Sequence, residues 1–147
     1  MEISGEHRFA APRQAVYQAL LDPKALQASM PGCERFEEVG PQSYDLTIRV
    51  GIAAIKGTSS GNVKVADPVE NEGYRLVVAG SGKPGQVQGD AKLVLTDDGA
   101  GTLVTYSGEV KAQGAIARLG SRLLAGAAKL MIGQFMKAME KQVEARA

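Results

Sequence analysis

Residues 2 to 9 alternate, with Ile3, Gly5, His7 and Phe9 in one phase and Glu2, Ser4, Glu6 and Arg8 in the other, which predicts a half-buried strand. Pro12 then opens a helix, since a missing N–H costs nothing at the first helical position. Val16, Tyr17, Leu20 and Leu21 form its apolar stripe until Asp22-Pro23 breaks it. A second short helix over about 23 to 29 stops at Met30-Pro31-Gly32, because the residue before proline is pushed out of helical dihedrals. From about 34 to 113 the period is two. Tyr44, Leu46, Ile48, Val50 and Ile52 share a phase, followed by Val63 and Val65, by Tyr74, Leu76 and Val78, by Val87, Leu93 and Leu95, and by Val104, Tyr106 and Val110. Turns are expected at Gly40-Pro41, Asp67-Pro68, Asn71-Glu72-Gly73, Gly82-Lys83-Pro84-Gly85 and Asp97-Asp98-Gly99. These connections are too short for crossover helices, so consecutive strands pair antiparallel.

After Gly114 the period changes, and a helix is expected over about 116 to 145. At about 100° per residue, Leu119, Leu123, Leu124, Ala127, Leu130, Met131, Phe135 and Ala138 share a broad face that should pack on the sheet. The expected fold class is therefore α+β: a curved antiparallel sheet of about seven strands around a long C-terminal helix, with two short helices after the first strand. With 147 residues and no linker or repeat, residues 1–147 form one domain.

Small residues recur in the inward phase of the strands: Gly57, Ser59 and Gly61 before Val63, Gly89 and Ala91 between Val87 and Leu93, and Gly108 between Tyr106 and Val110. Glycine inside a strand marks either a sharp bend or a close approach of something else. Bending would close the sheet tightly on the helix, whereas missing volume would leave a cavity for a ligand. On the second reading the lining comprises Met30, Leu46, Ile48, Val63, Leu93, Met131 and Phe135 with Gly57, Gly89 and Gly108, and the occupant is an apolar small molecule.

Charge and chemistry narrow the function classes. A net charge of +1 and the lack of a basic tract with interleaved aromatics argue against a nucleic-acid partner. Cys33 is the sole cysteine and His7 the sole histidine, so neither a disulfide nor a metal site is expected. His7 reads as a core or rim residue, Cys33 as a small side chain in a turn, and Glu109 as a solvated outer position. No serine elbow or phosphate loop occurs, so no catalytic residue is assigned. The N-terminus lacks a signal-peptide core and no run of about 18 apolar residues exists, which predicts a cytoplasmic protein. On the last helix Ile132, Met136, Met139 and Val143 fall outside the predicted sheet-facing arc, beside Arg118, Arg122 and Lys129. An apolar stripe next to a basic one suits an anionic membrane surface or a partner protein.

The segment Phe9-Ala10-Ala11-Pro12 through Val16-Tyr17-Gln18-Ala19-Leu20-Leu21-Asp22-Pro23 resembles the opening of the START-like (SRPBCC) helix-grip superfamily. Met30-Pro31-Gly32-Cys33-Glu34, Lys56-Gly57-Thr58 with Gly61-Asn62-Val63, Gly82-Lys83-Pro84-Gly85, Gly101-Thr102-Leu103 with Tyr106, and Gly114-Ala115-Ile116-Ala117-Arg118-Leu119-Gly120 resemble the family of the CoxG subunit of carbon monoxide dehydrogenase over essentially the whole chain. The resemblance implies a non-enzymatic accessory protein of a molybdenum hydroxylase such as carbon monoxide dehydrogenase. It would hold a quinone or lipid in the helix-grip cavity, carry no covalent cofactor, and help recruit the enzyme to the inner membrane face. Some members carry a C-terminal extension for membrane contact. This chain stops at Ala147, so the Arg118 and Met136 side of the helix, or a partner, would have to serve. Two alternatives remain open at this point: an enzyme of the cyclase or hydratase type found among superfamily relatives, and an assembly factor whose cavity is incidental.

Overall fold

The computed structural model describes residues 1–52, 55–83 and 85–146, and the side chains of these except 52, 55 and 56. The expected inward side chain of Ile52, Lys56 of the Lys56-Gly57-Thr58 motif, the turn residue Pro84 and the terminal Ala147 lie outside that description. Strand β1 (Glu2–Phe9) leads into α1 (Arg13–Leu21) and α2 (Pro23–Ser29). Strands β2 (Cys33–Gly40), β3 (Ser43–Ile52), β4 (Ile55–Val69), β5 (Gly73–Gly82), β6 (Gly85–Asp98) and β7 (Gly101–Gln113) follow. A 3₁₀ turn (Ala115–Leu119) then precedes the long helix α3 (Ser121–Glu144). The seven strands form one curved sheet in the order β1-β7-β6-β5-β4-β3-β2, with every neighbour antiparallel. Consecutive hairpins generate β2 to β7, and β1 returns to pair with β7, Gly5 opposite Tyr106 and Phe9 opposite Thr102.

Local chemistry accounts for the junctions. Asp22 caps α2, its Oδ1 accepting from the Lys24 N–H at 3.0 Å, and Pro23 occupies the first helical position. Pro12 caps α1 from just outside the helix, one position earlier than the sequence suggests. The Asp67-Pro68 turn is corrected: β4 runs on to Val69 through an irregularity after Ala66, with Asp67 at φ 50°, and the chain reverses at Asn71 (φ 60°) and Gly73 (φ 152°). A proline at a bulge interrupts the ladder without ending the strand.

One end of the molecule is solid. Phe9, Val16, Leu20, Leu26, Leu95 and Val104 are buried there with Met139 and Val143 of α3. Thr102, wholly buried, donates its hydroxyl to the Ala11 carbonyl at 2.7 Å and ties β7 to the start of α1. Two expectations for the last helix are corrected. It does not run unbroken from 116, because Gly120 at φ 86° separates the 3₁₀ turn from α3. Its sheet-facing arc is also displaced. Met136 (3 % exposed), Met139 (0 %) and Val143 (2 %) point inward with Ile132, while Leu123 (48 %) and Leu130 (50 %) are exposed. Both arcs are apolar, and the packing of the C-terminal half against α1 and α2 decides which one is buried.

Candidate functional site: an apolar cavity under the C-terminal helix

Beyond the solid end, the space between sheet and α3 is left open as a cavity of about 280 Å³. Strand β3 contributes Leu46 and Ile48, β4 Val63, β5 Tyr74, Leu76 and Val78, β6 Ala91 and Leu93, and β7 Tyr106. Met131, Ile132, Phe135 and Met136 of α3 form the roof, with Ile3, Leu26, Met30 and Pro31 completing the wall. Period-two alternation delivers every sheet residue in this set to one face. The Met30-Pro31-Gly32 segment is held over β3 by a hydrogen bond from the Arg49 N–H to the Gly32 carbonyl at 2.9 Å. Gly32 is required there, since it sits at φ 69° and a Cβ would collide with the Arg49 carbonyl. Met30 and Pro31 are thereby fixed as part of the wall.

The cavity is deep at one end and open at the other. Along each inward phase, buried positions (Tyr44 and Leu46, Val65 and Val63, Tyr74, Leu95 and Leu93) give way to half-buried ones (Ile48 and Val50, Ser59, Val78, Ala91 and Gly89). Strand registers place those half-buried ends together with the β3–β4 tip, the β5–β6 tip and the 3₁₀ turn. The entrance therefore faces the end at which α3 begins. An enclosed empty void of this size would cost about 7 kcal/mol at ~24 cal/mol per Å³, an upper figure for a cavity that is partly open. That is comparable with the whole stability of an ordinary domain.

Of the residues proposed from sequence as lining, Met30, Leu46, Ile48, Val63, Leu93, Met131 and Phe135 surround the cavity. Gly57, Gly89 and Gly108 do not. A Cβ on Gly108 would meet the Asp90 carbonyl and come within 2.6 Å of the Ala91 Cα, so this glycine serves close strand approach rather than empty volume. Gly61 behaves in the same way against the Ala79 carbonyl and Gly80 Cα. Gly89 has ordinary space around it, its nearest neighbours lying at 3.9 Å, and stands beyond the cavity toward the open end. Gly57, with φ 135°, lies farther along β4 near the hairpin tip. Of the two readings of the in-strand glycines, close approach accounts for Gly61 and Gly108, and the cavity itself is walled by the larger side chains of the sheet and α3 rather than by Gly57, Gly89 or Gly108. The placement of Ile132, Met136 and Met139 on an outer surface is corrected, because all three face inward; Arg118, Arg122 and Lys129 are exposed. Tyr74, Leu76, Val78 and Tyr106 also line the cavity, and their place in the same alternating phase is the signal that could have found them.

Polar chemistry is sparse in the wall. The Tyr74 hydroxyl donates to the Leu20 carbonyl at 3.4 Å, and complete burial raises its pKa well above the ordinary phenol value. Burial also raises that of Tyr106, whose ring lies over Gly5. His7 is half-buried, edge-on to Phe9, with Nε2 2.6 Å from Glu140 Oε1, which joins β1 to α3. Cys33 opens β2 rather than sitting in a turn. Its Sγ donates to the Arg35 carbonyl at 3.3 Å and burial raises its pKa, the opposite of nucleophilic activation. Glu109 is exposed, as its phase predicts. Among the described residues, no three of His, Cys, Asp and Glu cluster as metal ligands, and no helix is long and apolar enough to cross a membrane.

Comparison with known proteins follows the same lines. A family model for the CoxG subunit of carbon monoxide dehydrogenase matches residues 5–144. The chain belongs to the CoxG family. A conserved protein from Geobacillus kaustophilus is 31 % identical and superposes with a TM-score of 0.94 over 99 % of this chain and 96 % of that one. A START superfamily protein from Mycobacterium smegmatis (15 % identity, TM-score 0.76, 99 % of each chain) has the same fold. So does a protein from Chromobacterium violaceum (18 %, TM-score 0.75, 97 % of this chain and 96 % of that one). No curated protein matches the sequence. In this CoxG chain, the Met30–Glu34 motif supplies the loop against β3, and the Gly61–Val63 motif supplies both a close strand approach and a cavity residue.

Proposed function

We propose that the chain is a non-enzymatic accessory protein of a molybdenum hydroxylase of the carbon monoxide dehydrogenase type. It takes the hydrocarbon part of a quinone or lipid into the cavity and helps bring the enzyme and its electrons to the inner membrane face. The apolar cavity beneath α3 carries this reading. At about 280 Å³ it is nearly twice the ~150 Å³ void that holds a single benzene, and its side chains offer van der Waals contact rather than hydrogen bonds. Such a wall selects the apolar tail of a ligand and leaves a polar head at the entrance, where it can meet water or a partner. A quinone would bring its own redox chemistry. This chain's residues would bind its tail, exclude water from it and set the depth of its head. The CoxG family name supports the choice of partner enzyme.

Native mass spectrometry of protein purified without detergent tests the ligand half. The expected result is a 1:1 adduct that dissociates to a hydrocarbon-bearing molecule, absent from a Val78→Phe variant that narrows the cavity. Protein that is uniformly ligand-free, and that takes up no quinone or fatty acyl compound when offered one, would contradict the reading. Co-precipitation of a carbon monoxide dehydrogenase-type enzyme with tagged protein tests the partner half separately.

A further inference from the structure

Three of the five methionines, Met30, Met131 and Met136, line the cavity, and a fourth, Met139, lies in the solid core. Their exposure differs. Met136 (3 % exposed) and Met139 (0 %) are sealed, whereas Met30 and Met131 are half-buried. Met131 stands in the half of α3 nearer the entrance, where none of residues 117–135 is buried, and Met30 stands on the loop held over β3. Two separate walls of one hydrocarbon site thus each present a thioether within reach of a water-borne reagent.

A thioether is soft and apolar and packs against hydrocarbon. Its sulfoxide is polar and chiral, and needs a hydrogen-bond donor or water. The wall offers little of either. The Tyr74 hydroxyl is engaged with the Leu20 carbonyl, the Tyr106 hydroxyl lies over Gly5, and no other described lining side chain carries nitrogen or oxygen. The Cys33 thiol is a poor competitor for the oxidant. Peroxide attacks a thiol through its thiolate, and burial raises the Cys33 pKa, whereas a thioether reacts without losing a proton.

We infer that Met30 and Met131 are an oxidation site that controls the cavity: hydrogen peroxide converts either thioether to a sulfoxide, the wall becomes polar, and the hydrocarbon ligand is released. One oxygen atom passes from peroxide to sulfur, the sulfur is oxidised by two electrons, and the peroxide leaves as water. A dithiol-driven methionine sulfoxide reductase reverses the step, removing the oxygen as water and leaving a disulfide on the reductant. The inference rests on the cavity reading of the proposed function and adds a control on that binding.

Delipidated protein treated with hydrogen peroxide and digested tests it, with tandem mass spectra separating Met131 from Met136. Met30 and Met131 should oxidise about tenfold faster than Met136 and Met139, and bound palmitate should slow Met131 by about fivefold. The oxidised protein should bind a long-chain fluorescent fatty acid about tenfold more weakly with circular dichroism unchanged, and methionine sulfoxide reductase with dithiothreitol should restore binding. Met30→Leu with Met131→Leu, whatever its starting affinity, should lose less than about twofold on the same treatment, since leucine cannot be oxidised there. Equal oxidation of all four methionines, oxidised wild-type protein that binds as before, or a double variant as sensitive to peroxide as wild type would overturn the inference. So would loss of binding that accompanies loss of the fold. Untreated protein that takes up no fatty acid would overturn the cavity reading and this inference together, whereas binding indifferent to oxidation removes this inference alone.

Discussion

Gly5 and Tyr106 face each other across the β1–β7 ladder, and Tyr106 lines the cavity. A Cβ at Gly5 would overlap the end of the Tyr106 ring, a side chain that can turn, whereas a Cβ at Gly108 would strike main chain of β6 that cannot. Gly5→Ala is therefore expected to keep the fold, push Tyr106 toward the cavity and weaken binding of a long-chain fluorescent fatty acid several-fold in direct titration. Gly108→Ala should instead lose about 1–3 kcal/mol of stability in urea melts, as overpacked sites do. At this scale the sequence is informative about phase and silent about cause. Alternation puts Gly108 and Val63 on the same face, but only the packed fold reveals that the missing Cβ of Gly108 makes room for Asp90 and Ala91.

Among the elements, the strands are legible because burial on one face enforces a period of two. The course of β4 past Asp67-Pro68 is not, since a bulge absorbs the residues that otherwise signal a turn. Helix α3 is legible in existence but not in orientation. Leu123 and Leu130 are as apolar as Met136 and Met139, and periodicity alone cannot rank two apolar arcs. The choice is made by long-range partners: Leu20 and Leu26 of α1 and α2, and Ser29, whose hydroxyl lies 3.9 Å from the Met139 sulfur. The N-terminal half of α3 has weaker anchoring and contains Gly126 and Gly133 with free space around each. Gly126→Ala with Gly133→Ala should raise stability by up to about 1 kcal/mol per site. If that half of the helix moves to admit ligand, the pair should also slow the release of a bound fluorescent fatty acid in stopped-flow exchange; equal rates would show that ligand passes without it.

For the whole molecule, curvature leaves a solid end and a hollow one, and polar ties hold the solid end shut. Asp22 caps α2 and also receives Arg146 from the end of α3. Burial opposes ionisation of Asp22, but the Lys24 N–H and the Arg146 guanidinium outweigh it and hold the carboxyl below its ordinary value. The sign of the pH effect follows, because the unfolded chain takes up the proton first as pH falls. The contribution of Asp22 is complete above pH about 4 and disappears as pH drops through the lower folded value. Urea melts between pH 6 and 2.5 should show this loss, with a shallower acid dependence in Asp22→Asn.

The fold class and much of the lining could be read from the sequence because burial writes itself into period-two patterns. The depth of the cavity, its entrance and the exposed arc of α3 depend on how the elements stack. Calorimetric titration of delipidated protein with a straight-chain fatty acid at several temperatures tests the hollow interior most directly. Saturable 1:1 binding with a negative heat-capacity change, abolished by Val78→Phe in a folded variant, is the predicted result. Absence of binding to the folded wild-type chain, or binding that Val78→Phe leaves unchanged, would contradict it.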